Sequence, residues 1–77
     1  MKAEDIRELQ HREPFKPFRL HLSDGRSFDI RHPETIFVLR SAVEIGLFEP
    51  NTNGVIPDRA ERVSLLHIVS VEDMQLV

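Results

Sequence analysis

The chain has 77 residues, with ten Lys or Arg against thirteen Asp or Glu, a formal charge of −3, and no Cys, Trp or Tyr. Without Cys there is no disulfide, no thiolate nucleophile and no Cys-ligated zinc or iron–sulfur centre, and no apolar run approaches the roughly 20 residues of a membrane span. One domain over residues 1–77 is expected, and a core of this size rarely supplies more than about 3–5 kcal/mol by itself.

The opening MKAEDIRELQ lacks the apolar stretch of a signal peptide, so a cytoplasmic location is the expectation. It reads instead as a short helix over about 3–11. Glu4 and Asp5 lie in its first turn, where negative charge suits the helix dipole. Ile6 and Leu9 share one narrow face, so the helix must lean on something to persist. Pro14 stops it, and Phe15-Lys16-Pro17 forms an extended connector.

From Phe18 the apolar period changes to two. Phe18, Leu20 and Leu22 form one strand, and Arg26 to Ile30 alternates again. A two-residue loop at Asp24-Gly25 would pair Leu22 with Ser27 and mix the two faces of the hairpin. A three-residue loop pairs Leu20 with Phe28 and Phe18 with Ile30, and puts Gly25 where a left-handed residue and a bulge are needed. It also sets Arg19 opposite Asp29 on the outer face, with Phe18 and Phe28 in the core.

His32-Pro33-Glu34 breaks the second strand. Thr35 to Arg40 is apolar without alternation and reads as a strand covered on both faces or sharply bent. Val43 to Phe48 alternates, Glu49 to Asp58 is a long loop with its tip at Asn53-Gly54, and Glu61 to Leu65 is a strand with Val63 and Leu65 inward. Leu66-His67 makes a corner before a last strand, Ile68 to Glu72, with Val69 and Val71 on one side. The fold class is therefore mainly β with one short N-terminal helix. A small antiparallel sheet of this length is expected to curl into a five-stranded barrel over about 18–73.

This order resembles the Sm-like (Hfq-type) small β-barrel, related in shape to SH3-like barrels. The points of likeness are Leu22-Ser23-Asp24-Gly25-Arg26, the loop around 51–54, and Leu66-His67-Ile68. The resemblance implies edge-to-edge pairing of the last two strands of neighbouring chains into rings that bind RNA. The family's RNA-binding Asp/Asn loop and Arg-Gly segment are replaced here by Arg31-His32-Pro33-Glu34 and Leu65-Leu66-His67. His67 is similar to a His at that corner in Hfq-type proteins. The run from Phe15 to Glu34 also resembles a segment of small uncharacterised bacterial proteins, which implies a bacterial origin and no activity.

Chemistry is sparse. His11, His21, His32 and His67 have no metal-ligand spacing, so no metal is expected. The serines sit in no nucleophile-elbow context and the three glycines form no phosphate loop, so the chain reads as non-enzymatic and without cofactor. Candidate nucleic-acid contacts are Arg19, Arg26, Arg31, Arg40 and His67, with Phe37 and Phe48 the aromatics expected at the surface. Residues 15–40 carry five basic and three acidic groups, whereas 41–77 carry two and six, a polarity suited to head-to-tail association. The final apolar segment offers Val63, Leu65, Ile68, Val69 and Val71 as a self-association edge, with Leu66, Leu76 and Val77 adding to it. The expected role is a homo-oligomeric protein-interaction module, with RNA binding as the alternative.

Overall fold

A computed structural model describes residues 1–51 and 56–74. Helix α1 spans Ala3–Gln10 and is followed by β1 (Phe18–Leu22), β2 (Ser27–Ile30) and β3 (Ile36–Val38). Then come β4 (Ala42–Leu47), β5 (Arg59–Ser64) and β6 (Ile68–Asp73). Two short 3-10 turns, Pro33–Thr35 and Leu65–His67, carry the chain between sheets.

The strands form two separate three-stranded antiparallel sheets, ordered β2-β1-β6 and β3-β4-β5. This corrects the five-stranded Sm-like or SH3-like barrel expected from the sequence: among the described residues there are six strands and no closed barrel. The reason lies in the two connections. Pro33 cannot donate a ladder hydrogen bond and fixes its own φ, and the backbone N–H of Thr35 turns back to the carbonyl of His32 at 3.1 Å. The segment expected as a strand covered on both faces or sharply bent is therefore shortened, and only three residues of Thr35 to Arg40, Ile36–Val38, pair as a strand. At Leu65–His67 the same kind of turn parts β5 from β6, with the Ser64 hydroxyl accepting from the Leu66 N–H at 3.2 Å.

The β1–β2 hairpin has the expected register: Phe18 faces Ile30, Leu20 faces Phe28, and Arg19 faces Asp29. Gly25 has φ +90°, as the third loop position requires. Phe28 departs from expectation, being half-buried and packed against the core from its edge. In β6 the register against β1 shifts between His21 and Leu22, whose partners are Ser70 and Ile68. Val69 is the extra residue of that bulge, so it leaves the side it was expected to share with Val71.

The core runs between the two sheets and under the helix. Ile6, Phe18, Leu20, Ile30, Val43 and Ile45 are its fully buried side chains. Phe15 meets Phe18 edge-on at 6.1 Å between ring centroids and pins the connector. The helix is held at both ends. Its Asp5 carboxylate accepts from the Lys2 backbone N–H at 3.3 Å, and the Lys2 carbonyl accepts from the Asp5 N–H at 3.1 Å. At its last residue, Gln10 Nε2 donates to the carbonyls of Pro33 and Ile36, at 2.9 and 2.8 Å. Beyond the helix, Arg12 reaches the Asp73 carboxylate at 3.0 Å. Between the sheets, Arg26 bridges from the hairpin to Glu61 on β5 at 2.6 Å. The expected loop tip at Asn53-Gly54 lies outside the described residues.

Candidate functional site

The 3-10 turn at Leu65–His67 and strand β6 place the residues of the expected association edge. Val63, Leu65 and Ile68 point into the core, Val71 is half-buried, and Val69 is 60% exposed. Leu66, at the apex of the turn, is 88% exposed. The apolar segment thus divides: alternate side chains build the core while Leu66 and Val69 face outward. Leu76 and Val77 lie outside the described residues. β6 is bonded to β1 along one edge, and no described strand pairs with the other; β5 is likewise bonded only to β4. Two strand edges flanking one corner are therefore open, beside two exposed aliphatic side chains.

The proposed nucleic-acid contacts are not brought together as a free basic surface. Arg19 grips Asp29 through two hydrogen bonds, at 2.5 and 3.3 Å. Arg31 adds to the same carboxylate at 3.5 Å. The Arg19 bond, then its charge, holds the Asp29 carboxyl below its ordinary value. Arg26 is shared between Asp24 and Glu61, at 2.8 and 2.6 Å. The Arg26 backbone N–H, followed by its side chain, holds Asp24 below its ordinary value as well. His67 stands apart at the corner, where its Nδ1 is 3.4 Å from the Ser23 hydroxyl and its carbonyl accepts from the Ser23 N–H at 2.8 Å. Arg40 lies in the turn between β3 and β4, in another part of the surface.

The exposed aromatics are those expected, with Phe37 63% and Phe48 40% exposed, but neither neighbours these arginines along a strand pair. His21 Nε2 lies 2.9 Å from Glu72 on the outer face. Among the described residues no group of three or more His, Asp or Glu side chains is placed to hold a metal, and no helix is long and apolar enough to cross a membrane.

A feature that the sequence reading missed is a shallow cleft of about 600 Å³. The first turn of α1, the β3–β4 turn and the Leu65–His67 turn form its walls. Its floor is Val38, Leu39 and Leu65, and Lys2, Arg7 and Arg40 stand on its rim. No local signal marks it, because it exists only once the helix is docked. The Met1 amino group donates to the Leu65 carbonyl across one end, at 3.1 Å. No family model, curated protein or solved structure matches the chain, so the comparisons do not bear on the Sm-like resemblance.

Proposed function

We propose that the chain is a non-enzymatic protein-interaction module that self-associates through the outer edge of β6. The observation that carries this reading is a β6 edge that no described strand pairs, beside exposed Leu66 and Val69. An open edge presents backbone donors and acceptors to any second strand, and pairing of this kind extends a sheet across a chain boundary. Burial of the two aliphatic side chains adds about 1.5–3 kcal/mol for each one fully covered. A small core without disulfides gains from that extra burial. The RNA-binding alternative has less support, since Arg19, Arg26 and Arg31 are already occupied by carboxylates.

The test is hydrogen exchange read by mass spectrometry at low and high protein concentration. Backbone amides of 68–73 should gain protection as concentration rises, and Val69→Lys should abolish the gain. Lysine keeps the backbone intact while placing a charge on the edge, a common protection against pairing. Protection of β6 that is independent of concentration would overturn the reading.

A further inference from the structure

We propose that the cleft between α1 and the β3–β4 turn binds an acidic peptide segment of a protein partner, one with an aliphatic residue between its carboxylates. Arg12, Arg19, Arg26, Arg31, Arg59 and Arg62 each hold a carboxylate of this chain. The other two arginines, Arg7 and Arg40, have no carboxylate partner among the described residues. Both line the same cleft, together with Lys2. Among the described residues, Glu4 is the one acidic residue in its lining. In a chain of net charge −3, the free guanidinium groups of the described surface thus converge on one concavity.

The arrangement also says what kind of anion fits. Guanidinium groups recognise carboxylate and phosphate through paired N–H donors, so charge alone does not choose between peptide and nucleic acid. The floor chooses. Val38, Leu39 and Leu65 form an aliphatic surface, and no aromatic ring of the described residues lines the cleft for a base to stack upon. Its volume of about 600 Å³ falls within the range of small-ligand pockets and accommodates an aliphatic side chain with acidic neighbours at the rim. Two walls are turns and the third is the first turn of a helix that is anchored by Ile6 in the core, so the cationic side chains stand on a fixed frame. The site is separate from the β6 edge, sharing only Leu66 at its border.

The test is fluorescence anisotropy with a labelled pool of short peptides in which Asp or Glu alternates with Leu or Val. A matched pool carrying Lys or Arg in place of the acids serves as one comparison, and oligouridine as the other. The acidic pool should bind saturably, and more weakly as salt is raised past about 0.1 M, where screening reaches about 10 Å. The double variant Arg7→Glu, Arg40→Glu should weaken binding at least about tenfold, because it sets like charge against the peptide carboxylates. Both residues are exposed, so circular dichroism and oligomeric mass should be unchanged. Failure of the acidic pool to bind overturns the proposal, as does binding indifferent to the double variant. Oligouridine that binds more tightly than the acidic pool, with the same dependence on Arg7 and Arg40, overturns it in favour of nucleic acid.

Discussion

Gly25 and Asp29 show how single residues set the hairpin that the rest of the fold is built on. Gly25 holds φ +90° with open space where a side chain would project, so a substitution there meets a backbone penalty and no clash. Gly25→Val should cost about 1–3 kcal/mol, since a β-branched residue resists positive φ. In a domain of this size that is a fall in Tm of about 4–8 °C per kcal/mol, readable by calorimetry; an unchanged Tm would contradict the turn geometry. Asp29, with its carboxyl held below the ordinary 3.8 by the Arg19 hydrogen bond, contributes stability that is present above that value. The contribution disappears as pH falls through the lowered folded value, because the unfolded chain takes up the proton first. Urea midpoints should therefore drop below about pH 4, and Asp29→Asn should flatten that drop while lowering the midpoint at neutral pH. Both residues were legible because the alternation of Phe18 to Leu22 with Arg26 to Ile30 admits only one face-consistent register. The cleft arginines were not, since nothing near Arg7 or Arg40 in sequence reveals which carboxylates the folded chain keeps from them.

At the scale of elements, the helix is the piece whose presence depends most on packing. Its apolar face reduces to Ile6 with Ala3 and Leu9 at the margin, and Ile6 is fully buried. Ile6→Ala should cost about 2–5 kcal/mol, comparable to the whole stability expected of so small a core. The urea midpoint should fall steeply, and amide protection of 3–10 should be lost with it. A midpoint within error of the wild type would mean that the helix does not seal the core. The sequence located β1, β2 and β4 closely because each alternates, and placed α1 and the last strand closely in extent. It misjudged Thr35 to Arg40, where continuous apolar character hides a strand of only three residues entered from a 3-10 turn. It also missed the β6 bulge: alternation cannot reveal an inserted residue when Ile68, Val69 and Val71 are all aliphatic. That bulge bears on the proposed self-association, because it leaves Val69 exposed beside the β6 edge.

For the whole molecule, the balance of covered and uncovered surface carries the functional reading. Two three-stranded sheets and one helix enclose a single core, yet the sheets remain separate where one curled barrel was expected, parted at the break after β2 and the corner after β5 that the sequence had marked. Edges stay open as a consequence, and the β5–β6 corner combines them with exposed Leu66 and Val69. Charge asymmetry, plain in the sequence, is partly taken up by intramolecular pairs that cross between the two halves, such as Arg26–Glu61 and Arg19–Glu72, which weakens it as a guide to association. The open edge is the stronger argument, and native mass spectrometry tests it most directly, on wild-type protein and Val69→Lys, each with and without nuclease treatment. Self-association predicts wild-type masses at integer multiples of 8.9 kDa, indifferent to nuclease, and a Val69→Lys variant shifted towards the single-chain mass. A wild-type protein that stays at the single-chain mass at every concentration would contradict it.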